Sequence, residues 1–190
     1  MKYLLLAGLV SCSVAQVNLN SSELLPYKES SQVTRVQEKL KPIRINSVKD
    51  NREEKIFGHA FTGVQYTKTP ILFEKSADDI VKDLIADSLE ARNIIVHDEA
   101  QTAALDIEIN QMWVEEVIEE FQPEKAKCNL DLSFHITTDN KKWSGEFQTE
   151  FISGGDLSDG TERLAPTLAS CFNELVEKLV SDEKFLSVLK

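Results

Sequence analysis

Cys128-Asn129-Leu130-Asp131-Leu132-Ser133-Phe134-His135-Ile136-Thr137 is the stretch whose reading decides the fold. Apolar and polar side chains alternate through it without a break. That is the period of a strand whose two faces meet different surroundings, and a helix would scatter the same residues around its axis. Two other stretches share the period. Leu105, Ile107 and Ile109 alternate with Asp106, Glu108 and Asn110. Trp143, Gly145, Phe147, Thr149 and Phe151 alternate with Ser144, Glu146, Gln148 and Glu150. Thr138-Asp139-Asn140-Lys141 reads as the turn between the last two strands. A sheet with one apolar and one polar face is covered on one side only.

Working outward, two segments supply the cover. Ser76 and Asp79 have the spacing of a helix cap, and Ile80, Val81, Leu84 and Ile85 form one stripe behind them. Asn93, tolerant of left-handed backbone, closes this helix over 76–92, and Ile94-Ile95-Val96 reads as a short buried strand. After a loop at Gly154-Gly155, Leu164, Leu168, Cys171, Phe172, Leu175 and Leu179 form a second stripe, with Pro166 in its first turn. Phe185, Leu186 and Leu189 add a last apolar stretch. Towards the N-terminus, Ile43 and Ile45 alternate with Arg44 and Asn46, and Asp50-Asn51-Arg52 ends that strand as a turn. In 53–75, Gly58 and Gly63 mark loops, with short extended pieces at Val64 to Thr67 and Ile71 to Phe73. The expected architecture is α+β: a two-layer α/β sandwich, its sheet mainly antiparallel, with two helices packed on one face.

The longest apolar run stands at the start, Tyr3-Leu4-Leu5-Leu6-Ala7-Gly8-Leu9-Val10 after Met1-Lys2. A helix of that length spans roughly 12 Å, against a bilayer core of about 30 Å, so it reads as a signal segment and not a membrane span. Leu9-Val10-Ser11-Cys12 resembles a bacterial lipobox, with Cys12 as the residue to be acylated. Ser13-Val14-Ala15 offers the competing reading, ordinary cleavage after Ala15 and a soluble periplasmic product. The lipobox reading is preferred, because the apolar run ends where its cysteine belongs. Ser13 directly after Cys12, by resemblance to sorting in Gram-negative bacteria, points to the outer membrane. The expected organisation is a signal peptide over 1–11, a lipidated N-terminus and flexible tether over 12–40, and one globular domain over 41–190. Cys128 and Cys171 then remain as an even pair. Both sit on core-facing positions, so they are candidates for a disulfide or for two separate buried thiols.

Net charge is -11, from 32 acidic and 21 basic residues among 190. That argues against nucleic-acid binding, which needs basic patches. No HExxH, CxxC, GxSxG or phosphate-loop motif occurs, so neither a metal site, a cofactor nor a catalytic machinery is expected. His135 falls on the polar face of its strand. Asp50 and Arg52 could contact a ligand or partner, although an Asp in such a triplet more often satisfies loop backbone. Glu115, Glu116, Glu119, Glu120 and Glu124 read as a solvated acidic connection between strands that could also recruit a basic partner.

The order of these elements resembles the YajG-type bacterial lipoproteins. The resemblance runs from the lipobox at Cys12 through Ile43-x-Ile45 into Asp50-Asn51-Arg52. It continues through the helix over 76–92, the alternating strands and the terminal helix to Asp182, Phe185-Leu186 and Leu189. The family usually has Gly where Asn93 stands, and Cys128 and Cys171 lie outside its pattern. It implies an α/β periplasmic domain on a lipid anchor and no defined activity. Auxiliary lipoproteins of transport systems share a related layout. Two functions are therefore expected to compete. One is a non-catalytic adaptor that binds an envelope protein through the open sheet face, a strand edge or the acidic segment. The other is a carrier or sensor of a small apolar ligand held between helices and sheet, which needs free volume beneath Trp143, Phe147 and Phe151.

Overall fold

A computed structural model describes residues 16–20, 24, 33–62, 66–97, 102–118, 124–154 and 160–190. The expected signal segment and Cys12 lie outside the described residues. In chain order the strands are β1 (Val17–Leu19), β2 (Ile43–Asp50), β3 (Gly58–Thr62), β4 (Thr67–Phe73), β5 (Ala103–Val117), β6 (Lys125–Thr137) and β7 (Lys142–Gly154). The helices are α1 (Ala77–Ala91), α2 (Leu164–Ser181) and α3 (Glu183–Val188), with a 3-10 turn at Gly160–Arg163. Together they make a mixed α/β domain with one open, seven-stranded sheet in the order β1-β4-β3-β5-β6-β7, β2 pairing with β5 beside β3.

The alternating stretches form the centre of this sheet. Register runs Ile107 to Phe134 and Leu132 to Phe147, so the apolar residues of three strands share one side. Ala126, Cys128, Leu130, Leu132, Phe134 and Ile136 are buried one after another on β6, and their intervening neighbours are half-buried. On the last strand, Gly145 leaves a gap that Trp143 and Phe147 fill: a Cβ built there would stand 2.6 Å from the Trp143 ring. α2 packs against β5, β6 and β7, α3 against β7, and α1 against β2.

The caps follow local chemistry. Ser76 Oγ accepts from the Asp79 N–H at 3.2 Å. Asn93 takes φ 65°, the left-handed value expected of it. Asp182 caps α3 by accepting from the N–H groups of Lys184 and Phe185. Thr138 and Lys141 close the β6–β7 turn.

Several expectations are corrected. The sheet is mainly antiparallel, as expected, through β3–β4, β5–β6 and β6–β7, but β1–β4, β2–β5 and β3–β5 pair parallel. Three helices form among the described residues instead of two, because Asp182 ends α2 and starts α3. Over 53–75, Ile71 to Phe73 is extended as expected, within the longer β4, but Gly58 opens β3 instead of marking a loop; Gly63 to Gln65 lie outside the described residues. Residues 94–96 make only an isolated bridge between Val96 and Ile43, with Ile95 at 57% exposure. β5 continues past Asn110 to Val117, since a bulge between Ile109 and Gln111 turns Asn110 and Gln111 to the same side. From there Met112 and Val114 carry the buried parity, one step out of phase with Leu105 to Ile109.

The expected tether is also shorter than 12–40. Val17 and Leu19 join the sheet beside Ile71 and Phe73, Leu19, Leu24 and Leu40 are buried, and the Val36 N–H donates to the Arg92 carbonyl. Isolated apolar residues in a polar run dock because the edge of β4 offers unpaired backbone groups to an extended segment.

Candidate functional site

Asp50 and Arg52 stand where the chain leaves β5 and returns to it. β2 runs beside the first half of β5, up to Asp50 opposite Ile109. β3 resumes beside the second half, with Gly58 opposite Val114. Between them the backbone bows out and leaves carbonyls without strand partners. Arg52 fills the break. Its Nη1 donates to the Met112 and Ile56 carbonyls, both at 3.1 Å, and Nε and Nη2 grip the two Asp50 oxygens at 2.9 and 3.1 Å. The guanidinium lies 4.8 Å from the Phe57 ring centre. The Arg52 N–H also donates to Asp50 Oδ1. Burial would raise the Asp50 carboxyl, but the side-chain and backbone hydrogen bonds from Arg52, with Lys55, outweigh it and hold it at about 2. Each nitrogen of the Arg52 head is hydrogen-bonded within the chain, so this pair satisfies backbone at a gap in the sheet. Gly58 completes the return: its φ is 142°, and a Cβ there would overlap the Val114 carbonyl.

Cys128 of β6 and Cys171 of α2 face each other as a disulfide pair, with Cα atoms 6.3 Å apart. A second tie joins the helices. Arg92, fully buried at the end of α1, donates to the Ser88 carbonyl, to Asn173 and to Glu177 of α2.

The expected acidic connection divides. Glu119 and Glu120 lie outside the described residues. Glu115 and Glu116 belong to β5, and Glu116 falls on the buried parity because of the bulge. One of its oxygens accepts from the Phe61 N–H at 2.6 Å, and the other, Oε1, is buried without a partner. Desolvation pushes its carboxyl up, with Glu124 adding to the rise. Glu124 is half-buried, and its carbonyl accepts from Arg163 Nη1 at 2.6 Å.

The half-exposed side of the sheet carries a lattice of polar contacts. Asn110 donates to Asp131 and Ser133, Gln148 to Asp131, Asn51 to Glu108, and Asn46 to Asp106. His135 Nδ1 pairs with Ser144 Oγ at 2.9 Å. Lys127 and Glu150 form an ion pair at 2.7 Å. Towards β3 the surface turns aromatic, His59 standing edge-on to Trp113 at 5.1 Å.

A cleft of about 530 Å³ opens between the end of β7 and the start of α2, lined by Phe151, Ser153, Arg163, Pro166 and Thr167 among others. Ser153 and Thr167 share a hydroxyl hydrogen bond in it. The volume beneath the other two expected rings is filled: Phe147 packs on Phe134, and Trp143 on Phe185. Among the described residues no group of three or more His, Cys, Asp or Glu is placed to hold a metal ion. No helix among them is long and apolar enough to cross a membrane.

The described residues thus form a mixed α/β domain with one open sheet and helices packed against it. The chain belongs to the YajG-type family of uncharacterised lipoproteins, Lipoprotein_16, whose model matches residues 33–190. No curated protein sequence matches it. Among solved structures it is similar in fold to protein XCC0632 from Xanthomonas campestris, of the DUF330 family. Identity is 11%, over 87% of this chain and 89% of that one, with a TM-score of 0.53. An uncharacterised protein is similar at 12% identity over 80% of this chain and 99% of that one, TM-score 0.53.

Proposed function

We propose that this lipoprotein is anchored through an acyl group on Cys12 at the periplasmic face of the outer membrane. There it acts as a non-catalytic adaptor that binds an envelope protein on the open side of its sheet. The supporting observation is the alternation in burial along β5 and β6. The tie from Cys171 to Cys128 and the packing of Phe185 on Trp143 support α2 and α3 lying on the side of Leu130 and Leu132. That favours a two-layer arrangement, with Asp106, Glu108, Asp131 and Glu146 left facing outward. These carboxylates are engaged by Asn46, Asn51, Asn110 and Gln148, which is why the reading is an adaptor and not an enzyme. Their charge suits a partner with a basic surface.

Two measurements test this. Cys12→Ala should release the protein into the soluble periplasmic fraction and abolish fatty-acid labelling; a variant that stays membrane-bound beside an unlabelled wild type refutes the anchor and favours cleavage after Ala15. A photo-crosslinker at position 146 should trap an envelope protein, and one at Lys82, on the outer surface of α1, should not. Equal adducts at both positions sink the sheet-face reading. The cleft at Phe151 supports a second reading, a ligand carrier. Phe151 and Pro166 give it an apolar side and Glu162, Arg163 and the Ser153–Thr167 pair a polar one, so only part of it suits an apolar ligand.

A further inference from the structure

β1 fixes where an anchor at Cys12 must lie. It pairs in parallel with β4, Val17 opposite Ile71 and Leu19 opposite Phe73. The chain therefore enters the sheet from the end at which β4 begins with Thr67. Cys12 stands five residues before Val17. At about 3.3–3.6 Å per residue it can be no more than roughly 18 Å from Val17. The headgroup zone is on the order of 5–8 Å thick on each side of the hydrocarbon. A lipid on Cys12 thus holds this end of the sheet close to the membrane, with no room for the domain to stand clear.

The strand directions bring four more termini to the same end. β3 finishes there at Thr62, parallel to β5, which finishes at Val117; antiparallel pairing then places Lys125 of β6 and Gly154 of β7 beside them. Exposed large apolar side chains collect at this end. Tyr66, at 60% exposure, directly precedes β4, Ile118 follows β5 at 38%, and Ile152 lies near the end of β7 at 53%. Among the described residues the one remaining exposed large hydrophobic, Ile95, is at the opposite end, where its carbonyl accepts from Ile43 at the start of β2. From β4 to β7 is four strand spacings, about 20 Å at roughly 4.8 Å each.

Scattered exposed apolar residues are ordinary on a soluble surface. Three on one end of a sheet, at the end where the anchored segment enters, are a different observation. We infer that the end of the sheet carrying Tyr66, Ile118 and Ile152 lies against the lipid surface of the leaflet that holds the anchor. Tyr66 has an amphipathic ring suited to the headgroup level, and the exposed Lys68 beside it can keep its ammonium in water while its stem lies along lipid. Three side chains bind weakly by themselves, so the contact depends on the acyl chain to hold it in place. The inference rests on the proposed acylation of Cys12. It leaves the open sheet face standing upright from the membrane, accessible from the side.

The test uses the full acylated protein in vesicles of phosphatidylethanolamine and phosphatidylglycerol that carry a spin-labelled quencher lipid. Tyr66→Cys, Ile152→Cys and, as control, Ile95→Cys each receive an environment-sensitive fluorophore, and intact mass first establishes that the acyl group is present. Emission at 66 and 152 should fall by about half or more, and emission at 95 should be unchanged. Equal quenching at the three positions, or stronger quenching at 95, overturns the orientation while leaving the anchor standing. A protein whose mass carries no acyl group overturns the anchor and the orientation together.

Discussion

Arg52 shows how a charged residue in a conspicuous motif can serve the backbone. Its guanidinium binds two carbonyls and both oxygens of Asp50 inside the sheet break. Arg52→Ala strands all of them, and breaking a buried pair of this kind costs about 3–5 kcal/mol. Chemical denaturation should show that loss as a lower midpoint at unchanged slope. The Asp50 carboxyl is held at about 2, below the ordinary carboxylate range. A depressed carboxylate stabilises the fold above its unfolded value, and that stability disappears as pH falls through the folded one. About 2 kcal/mol should therefore be lost between about pH 4 and pH 2. Arg52→Ala should flatten this part of the curve. Glu116 has the opposite sign. Its carboxyl is pushed up, so ionisation destabilises the fold above the ordinary carboxylate value. Glu116→Gln keeps an acceptor for the Phe61 N–H and removes the charge. It should raise the melting temperature at neutral pH, with the gain fading below about pH 4.5; a gain unchanged at acid pH contradicts the assignment. Cys128 and Cys171 close a loop with a sequence separation of 43. A bridge there contributes about 4 kcal/mol through the unfolded chain. Denaturing alkylation without reductant should add no label at either cysteine, and two added labels rule the bridge out.

The elements with an undisturbed period were legible in the sequence, and those with a broken one were not. β6 keeps one parity from Ala126 to Ile136, and its residues, partners and buried side all follow from the alternation. β5 has the same character, yet the bulge at Asn110 reverses its phase, so the strand looked finished there and Glu116 looked solvated. β2 has a similar shift between Ile45 and Ser47. β3 and β4 are short and carry little pattern of their own. Their pairing depends on distant partners, and alternation is silent about which strand lies beside which. The Arg52 plug was hidden for a related reason: its acceptors, Ile56 and Met112, are main-chain carbonyls that no side chain reveals. Substitutions on the two sides of the central strands test the arrangement. Leu132→Ala should cost about 2–5 kcal/mol, as large core deletions do. Glu146→Ala should cost about 0.5 kcal/mol or less, as exposed changes do. Equal costs would mean that both faces are buried, and the open surface proposed for a partner would not exist.

At the scale of the whole molecule, the segment ahead of the globular core decides how the domain meets its surroundings. A flexible run of about 25 residues would span roughly 25–30 Å and free the domain from the membrane. β1 leaves four residues between Cys12 and Val17 instead. The polar composition of this region concealed the docking, because Val17 and Leu19 are a single repeat of the strand period, too short to stand out from background. Their energetics do not depend on length. Leu19 is 5% exposed against a core that includes Ile71. Leu19→Ala therefore removes a buried side chain from the edge of the sheet, at a cost of about 2–5 kcal/mol if the site cannot collapse around the gap. Thermal unfolding should show this as a drop in the melting temperature within one cooperative transition. The same substitution should weaken the protection of the β4 amides that β1 covers, measured by hydrogen exchange. A midpoint left where it was, with β4 exchange unaltered, would mean that Val17–Leu19 does not dock. The leading segment would then act over its full length as a tether, and the close approach of Tyr66 to the membrane would lose its basis.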